Sequence, residues 1–243
     1  MKQAVFAVAF SIISAGVCAQ TYNDFQPSVT AKFSPAGIAV GKLTVGAEYN
    51  FKHKQSILVF AGIPFNKPRT ITFDKKDSDV STRASSMLAA YRYYLGNRDM
   101  TGFYAEAYLE YLSMEGKGII HAELNKMPAQ LDSRFTYKGY GAGLQLGYQV
   151  LIARRVALDL FILGPAANSS KFSSSSTDIN DNLAWTLADA DEAAADIKKR
   201  LADIPVVGDK IEVVVDKNAK TIYTSYNGFT PGLRFGASVG IRF

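Results

Sequence analysis

Taken two residues at a time, the chain separates apolar from polar positions over most of its length. The last twelve residues, GLRFGASVGIRF, put Leu233, Phe235, Ala237, Val239, Ile241 and Phe243 on one face of a strand. Gly232, Arg234, Gly236, Ser238, Gly240 and Arg242 fall on the other. The same period recurs at about 28–34, 42–51, 56–65, 83–95, 102–114, 135–150 and 155–163, each segment bounded by turn chemistry. With 232–243 these make eight predicted strands.

The predicted connections alternate in kind. Lys52 to Gln55, Gly96 to Thr101 and Leu151 to Arg154 are short. Between them fall Pro35 to Gly41, Asn66 to Thr82, Glu115 to Arg134 and Gly164 to Pro231, of which the last three are long and polar. An up-and-down barrel with its tight turns on one side and its long loops on the other sorts connections in this way; a soluble sandwich has no reason to. The expected fold class is therefore all-β, an antiparallel up-and-down transmembrane β-barrel of eight strands, with ten as the alternative.

The ten-strand alternative depends on residues 164–231, predicted to be a surface-side insertion. Ser169 to Ser176 is expected to be flexible. A helix is expected from about Asn182 to Ile204, because Leu183, Leu187, Ala190, Ala194, Ile197, Leu201 and Ile204 step onto one face and Pro205 ends the run. A hairpin of 211–215 and 221–226 follows, and if both its strands join the wall the barrel has ten. The apolar stripe of the 183–204 helix needs a cover: the barrel rim, the hairpin or a protein partner.

Sorting by face gives outward sets such as Leu43, Val45, Ala47, Tyr49, Phe51 and Val156, Leu158, Leu160, Ile162. The inward sets collect the strand charges: Lys32, Glu48, Arg92, Glu106, Glu110, Asp159, Arg234 and Arg242, with Gln145 and Gln149. Four bases meet four acids. Burying them in the core of a soluble sandwich would be very costly. A membrane barrel reverses the requirement, since lipid wets the apolar face and an eight-stranded lumen is just wide enough for side chains to fill. The expectation is a lumen closed by ion-paired side chains. Tyr49, Phe51, Phe65, Tyr93, Tyr94, Phe103, Tyr111, Tyr140, Tyr148 and Phe161 are expected in interfacial girdles. Gly139, Gly141, Gly143 and Gly147 share one face and are expected to leave room for long side chains across the lumen. A phosphate-cradling G-x-G-x-x-G pattern is excluded, because the positions it needs are Leu144 and Leu146.

The N-terminus bears on location. Met1-Lys2-Gln3 is basic, Ala4 to Ala15 is apolar, and Val17-Cys18-Ala19 offers small residues for cleavage, so residues 1–19 are predicted to be a secretory signal and 20–243 the barrel. Cys18 is the only cysteine, which leaves the mature chain without disulfides or thiolate metal sites. Removing residues 1–19 lowers the formal charge from +5 to +4, too mild to point to nucleic acid.

Three stretches, RYYLGNRDMTGFYAEAYLEY (92–111), GLQLGYQVLIARRVALDLFILGP (143–165) and NGFTPGLRFGASVGIRF (227–243), resemble a family of outer-membrane β-barrel proteins of unknown function from Gram-negative, largely Bacteroidetes-type, bacteria, similar to the small eight-stranded OmpA/OmpX-like barrels. The resemblance lies in strand spacing and turn character. It implies an integral protein of the outer membrane with that membrane's lipid and lipopolysaccharide as neighbours. Phe243, closing an alternating strand, resembles the C-terminal signal read by the barrel-assembly machinery.

Candidate chemistry is sparse. His53 lies in a tight turn between Lys52 and Lys54, and His121 lies near Glu115, Glu123 and Ser113. One histidine at each end offers no metal cluster, and no cofactor motif occurs. Charged residues between Lys67 and Asp79, Arg69 among them, are candidates for contact with lipopolysaccharide phosphates. The expected role is structural or surface-interactive, with a lipid-modifying enzyme using His121 or a narrow channel as alternatives.

Overall fold

The computed structural model describes residues 25–73, 76–124, 127–180 and 208–243, with Thr186, Asp191, Glu192, Ala194, Ala195 and Lys198. Period-two alternation becomes an all-β chain: β1 (Ser28–Ser34), β2 (Lys42–Lys52), β3 (Gln55–Pro64), β4 (Lys67–Phe73), β5 (Lys76–Tyr94), β6 (Gly102–Leu124), β7 (Met127–Ile152), β8 (Val156–Asp178), β9 (Glu212–Asp216) and β10 (Thr221–Arg242). The strands form one antiparallel sheet in the order β1-β2-β3-β5-β6-β7-β8-β10, and β10 pairs back onto β1 to close it into a ring. At the seam Thr30 faces Arg242 and Phe33 faces Val239, while the backbone N–H of Phe243 donates to the Val29 carbonyl at 2.8 Å.

The turn side of the ring is tight. Ala153 and Arg154 both have positive φ, 50° and 61°, and Arg155 N–H donates to the Ile152 carbonyl at 3.0 Å, the type I′ geometry that suits strand twist. On the opposite side β5 to β8 and β10 run 19 to 26 residues, against 7 to 11 for β1 to β3. Their upper halves form a raised wall, edged by β4 on β5 and by β9 on β10. A 3-10 helix, Pro35–Val40, links β1 to β2 and ends at Gly41, whose φ of 80° only glycine adopts readily. The Gly41 carbonyl accepts from Phe65 and Ala84 N–H, tying the base of the wall to the ring.

The raised wall revises the expected loops. Asn66 to Thr82 and Glu115 to Arg134 are mostly strand. Ser169 to Ser176, expected to be flexible, lies inside β8 with β7 on one side and β10 on the other. Serine has little intrinsic preference for strand, but a backbone laddered on both sides satisfies every polar group, and that outweighs propensity. Pro165 and Pro231, expected to end strands, lie within β8 and β10 near a register shift: Phe161 faces Gly147 and Gly236, whereas Leu163 faces Leu146 and Gly164 faces Arg234. Such a bulge is where a sheet tolerates proline. It also reverses β8's alternation, so Ile162 and Leu160 face out below it and Ala167, Ser169 and Lys171 above it. The hairpin expected at 211–226 exists as β9 and the start of β10. Residues 1–19 and most of the helix expected over 182–204 lie outside the described residues; Asp191, Glu192, Ala194, Ala195 and Lys198 are helical.

Inside the ring the β7 glycines lie under large side chains. Tyr108 covers Gly143, Tyr104 covers Gly147 and Asn168 covers Gly141. A Cβ at Gly147 would overlap the Tyr104 ring. Gly147→Ala is therefore expected to destabilise the protein by about 1–3 kcal/mol through overpacking, measured as a lower urea midpoint with unchanged slope.

Candidate functional site

Every second residue of a strand points inward, so each strand of the ring delivers its charges to the same enclosed space. β1 supplies Lys32, β2 Glu48, β5 Arg92, β6 Glu106, β8 Asp159 and β10 Arg234. The first five residues are at most 3% exposed.

Arg92 is the centre. Its Nε donates to Glu106 at 2.8 Å and Nη2 lies 2.7 Å from the same carboxylate. Its Nη1 lies 3.0 Å from Asp159 and 3.4 Å from Glu48, and its guanidinium carbon stands 3.7 Å from the centre of the Tyr104 ring. Lys32 bridges the other side, 2.5 Å from Glu48 and 2.8 Å from Asp159. Gln149 joins the two bases: its Oε1 accepts from Lys32 at 2.6 Å and from Arg92 at 3.1 Å, and its Nε2 donates to the Met100 carbonyl at 3.0 Å. Three hydroxyls complete the acids' shells, Ser56 and Tyr94 donating to Glu48 and Tyr104 to Asp159, at 2.6–2.7 Å.

Arg234 extends the cluster upward. It lies 3.5 Å from Glu106, donates to Gln145 Oε1 at 2.7 Å and stacks 4.6 Å from the Phe161 ring. With it, three bases balance three acids. Below the cluster Met100, held with positive φ in the 95–101 connection, is fully buried beside Ser28 and Tyr104. Above it Leu58, Phe60, Leu88, Ala90 and Tyr108 form an apolar layer. Over that layer opens a cavity of about 470 Å³ whose lining includes Lys42, Ser86, Glu110 and Arg234.

The sequence-predicted residues thus divide. Lys32, Glu48, Arg92, Glu106, Asp159 and Arg234 meet in one network. Glu110 lines the cavity above and reaches none of the six at ion-pair distance. Arg242 stands at the seam, where its Nε donates to the Ser28 hydroxyl at 2.9 Å. Tyr94 and Phe161, expected in outer girdles, are buried inside instead, because they share parity with Arg92 and Asp159. Tyr104 and Tyr108 show the same inward parity with Glu106; the period that found the charges also marks these tyrosines.

The histidines stand apart from the network. His53 Nδ1 lies 2.8 Å from Asp99, joining two turns. His121 lies high on β6, with Ser113 and Glu115 eight and six residues below it on the same strand, roughly 26 and 20 Å away at ~3.3 Å per residue. Glu115 is engaged with Arg83 at 2.8 Å. These three do not assemble. Among the described residues no His, Cys, Asp and Glu group could hold a metal ion.

Removing Arg92 would take one cationic partner from each of three buried carboxylates, leaving Glu48 and Asp159 to share Lys32 and Glu106 with only Arg234 at 3.5 Å. Arg92→Met is expected to cost about 3–5 kcal/mol of unfolding free energy, while Arg234→Met, at a side chain one-fifth exposed, costs less; urea titration of both variants checks the order.

The family model described as "Protein of unknown function (DUF3575)" matches residues 8–170, which take in β1 through most of β8. No curated protein and no solved structure matches the chain. With more than half of its 243 residues matched, the chain belongs to the DUF3575 family of proteins of unknown function.

Proposed function

We propose that this protein is an integral β-barrel of the outer membrane with a sealed lumen and a structural or surface-interaction role. One observation carries the reading: the ring is apolar outside and ionic inside. Phe235, Leu144, Phe103, Leu233 and Ile162 are each more than 60% exposed, while Arg92 is 1% exposed. Apolar surface continuing around a whole ring greatly exceeds the patches that soluble monomers expose. Lipid is the solvent in which it carries no penalty.

The dimensions agree. Aromatic pairs bound the apolar zone, Phe103 with Tyr148 below and Tyr111 with Tyr140 above, each with ring centroids 4.8 Å apart. The eight residues from Phe103 to Tyr111 rise roughly 26 Å along the strand. Strand tilt shortens this along the membrane normal, to the scale of the ~25 Å apolar band of outer-membrane barrels. The signal expected at 1–19 and Phe243 at the seam fit export and delivery by the barrel-assembly machinery. A conducting channel would require the Arg92 network to part, and an enzyme using His121 would require Ser113 or Glu115 to come to it; neither belongs to this reading.

Leu144 tests the reading because it lies midway between the aromatic rows. On a water-facing surface Leu144→Arg changes stability by about 0.5 kcal/mol or less. Facing the bilayer centre, it costs about 2–4 kcal/mol. Urea unfolding in phospholipid bilayers is expected to give the larger value, and the smaller one would overturn the membrane assignment. Deleting Phe243 is expected to lower the amount of heat-modifiable protein recovered in the outer-membrane fraction of cells.

A further inference from the structure

The outer face of the raised wall places like charges directly opposite one another. In the row above Tyr111 and Tyr140, Ser113 on β6 faces Lys138 on β7, Lys138 faces Lys171 on β8, and Lys171 faces Asn227 on β10. Both lysines are exposed. Two rows higher Lys117 faces Arg134. Acids on this part of the face are already engaged, Glu115 with Arg83 at 2.8 Å and Asp132 with Arg134 at 3.4 Å. Among the described residues neither Lys138 nor Lys171 has an ion-pair or hydrogen-bond partner.

Like charges directly across a strand pair destabilise it, and an anion held between them offsets that repulsion. Among the described residues no acid takes that place, and an anion bound from outside would fill it. Height above the membrane selects the source: the lysines stand two residues, roughly 7 Å, above the upper aromatic row, the depth of lipid headgroups rather than of acyl chains or bulk water. A lysine ammonium is a compact charge suited to phosphate. The flanking Ser113 and Asn227 add neutral hydrogen-bonding groups on the same row.

We propose that Lys138 and Lys171 form a docking site for the phosphate of a lipid headgroup, with Lys117 as a further cation two rows above it. The inference rests on the membrane reading and adds to it a named site and ligand class. It also places the contact on the wall's outer face rather than on the charges between Lys67 and Asp79.

The test uses the full mature protein in nanodiscs of phosphatidylcholine containing a minor fraction of phosphatidic acid, with the lipid retained after detergent extraction counted by mass spectrometry. Two lysines at headgroup depth are expected to enrich phosphatidic acid roughly thirtyfold over its bulk fraction. Lys138→Ser with Lys171→Ser brings the enrichment down close to one. Lys171→Glu also loses the enrichment, yet in pure phosphatidylcholine its urea midpoint rises above wild type, because a glutamate facing Lys138 attracts it. Unchanged enrichment in both variants overturns the proposal. So does displacement of the lipid by inorganic phosphate at equal concentration, which would mark a free-anion site. Entry into phosphatidylcholine discs without enrichment rejects this site alone, whereas failure to enter them rejects the membrane reading and the site together.

Discussion

Pairing between β1 and β10 is the constraint on which the rest depends. An open sheet of these strands would expose one face of charges and two edges of unpaired backbone. Closing the seam removes both edges at that level and turns the charged face into an interior. It also brings Lys32 within 2.8 Å of Asp159, 127 positions away in the chain. Without closure Lys32 would have Glu48 on the neighbouring strand and little else.

The interior that closure creates is layered. Polar contacts fill the turn side, apolar residues lie over them, and the cavity with Lys42 and Glu110 opens above. Buried ion pairs recover little net free energy after desolvation, so their main effect here is on register. A one-residue slip of β1 would swing Lys32 to the outer face and drive Phe33 against Glu48 and Asp159. Every charge in the cluster comes from a different strand, which makes the network a check on six registers at once.

The outer face follows a different logic. Its apolar rows need no specific partners, and the exposed side chains of Leu144, Leu160 and Phe235 tolerate any apolar neighbour. Above the upper tyrosines the same strands become polar and rise as a wall. The wall's backbone is paired from β4 round to β9, so polar and serine-rich sequence persists there as strand.

Much of this was legible in the sequence. The faces of β2, β5, β6 and β10 follow from alternation alone, because a strand's two-residue period is a property of its own backbone, and so the inward parity of Lys32, Glu48, Arg92, Glu106, Asp159 and Arg234 was readable position by position. Glycine and proline misled where they usually mark ends: Gly164-Pro165 and Pro231-Gly232 read as strand boundaries, but neighbours on both sides carry β8 and β10 through them. Tyr94 and Phe161 have the chemistry of girdle residues but inward parity, and parity decides their place. What only the tertiary structure decided is which charge meets which, that Arg92 rather than Arg242 is the hub, and that a bulge at 162–163 turns Lys171 outward to face Lys138. Those outcomes depend on registers between strands far apart in the chain, and no local period contains that information.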